Sequence, residues 1–176
     1  MISVAVIGGG ASGMAFAVAL KQKRPDIEVA VFEKNPKVLK KILVTGNGRC
    51  NILNFDAVAE NYFEACEFVR PAVEKYTPKK TEAIFRDMGL LLMSEQEGRA
   101  YPISQTAASV VCVLSSAAER AGVKVFTDTP VKSIKKSQGR FVINNDKSFN
   151  FAVIACGGAA APKQGTDGGS FELFKV

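Results

Sequence analysis

Residues 1–33 constrain this chain more than any other stretch. Ile2, Val4, Val6 and Ile7 are apolar and β-branched, the pattern of a parallel strand buried on both faces. The strand runs into Gly8-Gly9-Gly10-Ala11-Ser12-Gly13, which fits G-x-G-x-x-G at Gly8, Gly10 and Gly13. In that spacing Gly8 permits a tight exit from the strand. Gly10 lets a pyrophosphate approach the backbone, and Gly13 lets the next helix pack closely. A helix from Ala11 to about Lys23 then offers unpaired N–H groups and the positive end of its dipole to phosphates. A second strand at 27–32 ends on Glu33. A carboxylate there can hydrogen-bond ribose hydroxyls, and it repels a 2′-phosphate, which disfavours NADP. A glycine turn that merely packs helix on strand leaves Glu33 unexplained. The stretch reads as the ADP-binding half of a dinucleotide site.

The rest of the composition removes rival chemistries. The 176 residues contain no histidine, so Ser-His-Asp triads, Cys-His dyads and histidine metal sites are excluded within them. No metal is expected, and acid–base work falls to Lys, Tyr, Cys, carboxylates or a cofactor. The net charge is +6 and the pI about 9.2. The lysines, however, are scattered or paired, as at Lys40-Lys41, Lys79-Lys80 and Lys135-Lys136, without interleaved stacking aromatics. That pattern fits solvated charge with some attraction to an anionic cofactor, and no nucleic-acid partner is expected. No apolar run approaches the ~20 residues needed to span a bilayer. No basic segment precedes the first apolar stretch, as a signal peptide requires. Cys50, Cys66, Cys112 and Cys156 form no C-x-x-C pair, which suits a reduced, cytoplasmic protein without a membrane partner. Length alone suggests one domain.

Further along, Asn35-Pro36 breaks the second strand, and residues 37–41 read as a short helical turn. Thr45-Gly46-Asn47-Gly48-Arg49-Cys50-Asn51 follows, a loop rich in N–H donors with a fixed charge at Arg49. An asparagine-stabilised surface turn is an equal reading of it. Residues 61–76 and 79–88 read as amphipathic helices, the first kinked at Pro71. Residues 90–93 and 99–101 read as a strand pair. Ser104 is expected to cap a helix over 105–120 that ends at Gly122, with Cys112 filling core. Strands are expected at 123–126, 131–134, 141–145 and 148–155, with turns at 135–139 and 144–147. The last strand runs into Cys156-Gly157-Gly158, where backbone can approach a cofactor closely. Cys156 reads better as a small packing residue than as a reactive thiol.

Four stretches together resemble the BaiN/YhiN-type family of bacterial FAD-dependent oxidoreductases, flavoproteins with a glutathione-reductase-like FAD domain. They are Gly8–Gly13 with Glu33; KILVTGNGRCN at 41–51; RAYPIS at 99–104, followed by 107–110; and ACGG at 155–158. The resemblance implies an α/β, Rossmann-like fold: a parallel sheet with helices on one face and a small antiparallel β-layer on the other. It implies FAD as cofactor, with Gly8, Gly10, Ala11, Ser12 and Gly13 at the pyrophosphate and Glu33 at the ribose. Lys34 and Lys41 would lie near the adenosine half, and Val131 would meet the adenine edge through its backbone. Gly48, Arg49, Cys50 and Asn51 would line the central part of FAD, and Ala155, Gly157 and Gly158 would pass along its other side.

Family members run to about twice this length, with an inserted substrate domain and a returning segment that completes the flavin site. The expectation is therefore that residues 1–176 form the N-terminal portion of an FAD-binding domain, inactive alone. Its partners would be a small-molecule substrate or an electron donor such as NAD(P)H, and no catalytic side chain is nominated. The cluster at 165–171 resembles the family's glycine-rich stretch, with Ser170 and Phe171 where glycine and tyrosine are usual. Two rivals stand beside this reading: the nucleotide domain of an NAD-dependent dehydrogenase, and a truncated, non-catalytic dinucleotide-binding module.

Overall fold

The computed structural model describes residues 1–159, 162 and 168–174. The chain divides into two compact units, one made of Met1–Ile42 with Leu114–Val176 and the other of Leu43–Val113.

The first unit holds a four-stranded parallel sheet in the order β10-β1-β2-β6. Its strands are β1 (Ser3–Ile7), β2 (Glu28–Phe32), β6 (Lys124–Phe126) and β10 (Phe151–Ile154), and α1 (Ala11–Lys23) links β1 to β2. Val4 pairs with Val29 and Phe151, and Ile7 with Phe32 and Ile154. Every residue of β1 is buried, as the apolar run required. Alternation divides these side chains between two faces. Val4, Val6, Val29 and Val31 share one face and are buried, as are Met14, Ala17 and Val18 of α1. Each of these valine and methionine side chains contributes about 1.5–3 kcal/mol by leaving water.

Ala5, Ile7, Ala30 and Phe32 turn the other way, into a cluster with Ile134, Ile143, Phe149 and Leu173. Most of that second layer is an antiparallel sheet of β7 (Ile134–Ser137), β8 (Arg140–Ile143) and β9 (Lys147–Phe149). Phe32 seals the junction, stacked on Phe126 at 5.4 Å and edge-on to Phe149 at 5.8 Å between ring centroids. The unit is thus the expected parallel sheet with a small antiparallel layer on one face.

Two strand expectations need correction. Residues 148–155 are not one strand: the chain leaves β9 at Phe149, turns at Asn150 and enters β10 in the other sheet. Asn150 makes that corner by bonding to Ser3, whose backbone N–H and hydroxyl both donate to Asn150 Oδ1, at 2.9 and 3.1 Å. Residues 131–133 lie before β7, and Lys135 and Lys136 are strand rather than turn. The turn is Gln138-Gly139, both at positive φ. The Asn144-Asn145 turn stands as expected, with φ of 52° and 56°, values that asparagine tolerates well.

The second unit contains β3 (Leu53–Asn54), β5 (Arg99–Pro102) and β4 (Leu92–Ser94) as an antiparallel sheet in that order, with helices α2 (Cys66–Lys75) and α3 (Pro78–Asp87). The expected helix at 61–76 breaks not at Pro71, which α2 contains, but ahead of it. A 3-10 segment, Ala59–Ala65, precedes α2 and carries Phe63 at φ 45°, ψ −119°. A side chain at that backbone angle cannot continue a helix.

Helix α4 (Ala107–Arg120) contributes to both units. It starts two residues late because Gln105 is left-handed at φ 57°, so Ser104 is not its cap. Gly122, at φ 73°, ends it as expected, with Val123 N–H donating to Ala118 O at 2.9 Å. Ala107, Val110, Leu114, Ala117 and Ala118 are buried, but Cys112 is exposed rather than core. No helix among the described residues is long and apolar enough to cross a membrane.

Candidate cofactor-binding site

In the first unit the glycine turn leaves β1 at the C-terminal end of the sheet, where open α/β sheets bind ligands. Gly8 has φ +110°, and a Cβ there would lie 2.6 Å from Ala155 O. A Cβ at Gly13 would lie 2.0 Å from Gly8 O and 3.3 Å from the Ala155 Cβ. The two glycines and the strand end of β10 therefore interlock, tied further by Ala155 N–H donating to Ile7 O at 2.8 Å. Gly10 differs: a Cβ there would meet nothing within 4 Å. Gly10 is the N-cap of α1, whose first turn has no side-chain cap and no acidic residue. Ala11 and Ser12, which begin that turn, are exposed. An open cradle over uncapped N–H groups fits a pyrophosphate.

Glu33 is buried at 8% exposure and holds the turn from behind. Its Oε2 accepts from Gly9 N–H at 2.8 Å. Its Oε1 accepts from Asn35 N–H at 2.8 Å and from Asn35 Nδ2 at 2.6 Å. A carboxylate has about four acceptor positions. Among the described residues one of them, on Oε2, takes no hydrogen bond.

Gly9 is a close-packed residue of the turn that the motif does not mark. A Cβ on it would lie 2.6 Å from a Val38 methyl and 3.1 Å from the Glu33 Cβ, and its carbonyl accepts from Leu39 N–H at 2.8 Å. The signal for it was the uninterrupted run of three glycines, of which the motif uses two. Asn35 left no signal beyond its place beside a proline.

We expect Glu33→Ala to leave the Gly9 and Asn35 donors without their acceptor, destabilising the fold by about 1–3 kcal/mol. Thermal or denaturant unfolding of the variant measures that loss.

Cys156 lies beside this turn, its thiol donating to Ile7 O at 3.2 Å. Burial, and secondarily the Glu33 charge, pushes the thiol pKa up. Such a thiol is a poor nucleophile, in keeping with a packing role. Gly157, at φ +74°, and Gly158 are exposed, and Gly158 has open space where a Cβ would be. Lys34 and Lys41 are exposed, and Val131 is half-buried against the core cluster.

In the second unit the loop at 45–51 is built from left-handed backbone. Gly46, Asn47, Gly48 and Cys50 have φ of 53°, 52°, 80° and 62°. Gly48 faces open space, and Cys50 is buried with its N–H on Thr45 O at 3.1 Å. Asn51 is exposed.

The Arg49 guanidinium lies over the Tyr101 ring at 3.9 Å. It also donates from Nε to Gln105 Oε1 at 2.6 Å and pairs with Glu95. The Arg49 hydrogen bond holds the Glu95 carboxyl below the usual carboxylate range. Tyr101 belongs to RAYPIS and Arg49 to the GNGRCN loop, so the two distant sequence stretches meet at this cation–π contact. Glu95, Tyr101 and Gln105 lay outside the sequence-derived site, because nothing local links residues 46 to 56 positions apart.

A parallel sheet with this turn and this terminal acid defines the dinucleotide-binding class of α/β proteins. The family model described as the HI0933-like protein Rossmann domain matches residues 2–176. The chain belongs to that family. Among its relatives, the 3-dehydro-bile acid delta(4,6)-reductase of Clostridium scindens is 37% identical over 179 residues, covering 99% of this chain and 44% of that protein. The ribosomal RNA dihydrouridine synthase of Haemophilus influenzae is 26% identical over 168 residues, covering 91% of this chain and 41% of that protein. The chain thus spans less than half the length of these curated relatives. Among solved structures, Thermovibrio ammonificans THI4 shares the fold, with a TM-score of 0.58 at 18% identity, covering 89% of this chain and 57% of that one.

Proposed function

We propose that this chain is the FAD-binding domain of a flavin-dependent oxidoreductase that reduces a carbon–carbon double bond conjugated to a carbonyl. The observation that carries the cofactor assignment is the open position over Gly10, in a turn that the interlocked Gly8–Gly13 pair and the buried Glu33 hold in place. Gly8, Gly10, Ala11, Ser12 and Gly13 hold the pyrophosphate, and the open Oε2 position of Glu33 takes a ribose hydroxyl. Lys34 and Lys41 add positive charge on the adenosine side, and Val131 meets the adenine edge. Ala155, Gly157 and Gly158 pass beside the cofactor. Gly48, Arg49, Cys50 and Asn51 line the central part of the cofactor and approach its flavin in this proposal.

When bound, the flavin supplies two-electron redox chemistry, and the protein supplies binding, orientation and electrostatics. The substrate class rests on the two relatives. One is named as a delta(4,6)-reductase of a 3-dehydro-bile acid, the other as a synthase of dihydrouridine in ribosomal RNA. Both names describe hydrogen added across a double bond conjugated to a carbonyl. Of the two kinds of substrate named, the proposal takes the small molecule, because the lysines of this chain are scattered or paired without interleaved stacking aromatics, and it takes a reduced nicotinamide as donor. Four free cysteines fit a cytoplasmic site of action. A substrate domain and a returning segment complete the enzyme in this proposal.

The test is direct. Purified protein should be yellow, release FAD on denaturation, and gain about 2.7 kcal/mol of stability at FAD concentrations a hundredfold above Kd. Colourless protein stabilised by NAD and not by FAD would overturn the assignment.

A further inference from the structure

The segment between β6 and β7 is anchored on the same residues that build the ribose site. Thr129 N–H donates to Glu33 O at 2.8 Å, and Asp128 N–H to Asn35 O at 3.1 Å. Residues 128–131 therefore lie at the ligand-binding end of the parallel sheet, next to the acid that takes the ribose. Beyond Thr129, the Asn144 side chain holds the segment. Asn144 Nδ2 donates to Pro130 O at 2.9 Å. Its Oδ1 accepts from Lys132 N–H at 2.8 Å and from Ser133 N–H at 3.3 Å. Its own N–H donates to Ser133 O at 3.0 Å.

These bonds reach both neighbours of Val131 and skip Val131 itself. Among the described residues, the Val131 N–H and C=O have no hydrogen-bond partner, while its side chain packs on the core cluster. A residue anchored by its side chain, with a donor and an acceptor both unspent, matches the adenine edge. That base presents a ring-nitrogen acceptor beside its 6-amino donor. We propose that Asn144 is a positioning residue that sets the Val131 backbone to read adenine, and so makes this domain select an adenine dinucleotide over flavins that lack the base. The proposal rests on the FAD assignment above.

Asn144 has φ 52°, so Asn144→Gly removes the amide at no backbone cost. Binding of three probes to the full chain is compared by fluorescence titration. They are FAD, its hypoxanthine analogue (a carbonyl in place of the 6-amino group) and FMN. Wild type should prefer FAD over the hypoxanthine analogue roughly five- to tenfold, as expected for one hydrogen bond. Asn144→Gly should lose most of that preference and bind FAD roughly five- to tenfold more weakly, with FMN affinity unchanged.

A variant that keeps the wild-type preference, or that loses FAD and FMN equally, overturns the role of Asn144 while leaving the FAD assignment standing. Wild type that takes up no FAD overturns both. Asn144→Asp keeps the acceptor for Lys132 and Ser133 but places a carboxylate oxygen against Pro130 O. It should show an intermediate preference, and a wild-type preference there counts against the proposal even if the glycine variant does not fold.

Discussion

Gly13→Ala should destabilise the protein by about 2–4 kcal/mol, lowering Tm by roughly 5–15 °C, and should abolish retention of FAD. In an ordinary helix the same change is favourable by about 0.8–1 kcal/mol, because alanine loses less backbone entropy. Here the added methyl would sit 2.0 Å from Gly8 O. That oxygen is main chain, so it cannot rotate away, and Gly8 is itself pinned by its N–H on Phe32 O at 2.8 Å. Relief requires α1 to lift from β1, which uncovers Met14, Ala17 and Val18, all now buried. Calorimetry of the variant measures this. A Tm within about 2 °C of wild type would show that the helix can shift cheaply and that the interlock is looser than its geometry.

Gly10→Ala should do the opposite. Its methyl enters space with no atom within 4 Å, and its backbone, at φ −77° and ψ −172°, is open to any residue. The fold should lose no more than about 1 kcal/mol, the usual difference between glycine and alanine at an N-cap. In the proposed site the same methyl would fill the position through which the pyrophosphate reaches the N–H groups of α1. If it denies the phosphates those bonds at about 2–3 kcal/mol, FAD affinity falls roughly 30–150-fold. Unfolding curves without ligand, set beside FAD titrations, separate the two effects. Undiminished affinity would place the pyrophosphate elsewhere. The pair distinguishes a glycine that the fold requires from one that the ligand requires, although the motif writes both with the same letter.

That distinction marks what could be read in the sequence. The strand–turn–helix–strand unit was legible because each of its causes is local: β-branched runs, glycines at fixed offsets, an acid at the strand end. The partners of Glu33 were not, since Gly9 lies 24 residues away and its N–H carries no sequence signal. GNGRCN could be identified as a distinctive loop, but not explained. Arg49 needed Glu95, Tyr101 and Gln105 brought to it by a sheet whose third strand, Leu53–Asn54, is too short to announce itself. The start of α4 moved because Gln105 took a left-handed conformation that local propensity gave no reason to expect. Residues 165–167, in the last glycine cluster, lie outside the described residues.

The corner at Asn150 fixes more than direction. Phe149 faces the shared core from β9, yet from β10 it is Ala152 and Ile154 that face it, while Phe151 is 56% exposed. The inward positions therefore change from odd to even across a single residue, which is why a strand pattern drawn straight through 148–155 fails. Asn150 acts as a phase shift between two sheets whose registers are each set independently. One residue gained or lost between Phe149 and Phe151 would turn one set of side chains away from the core while leaving the other in place.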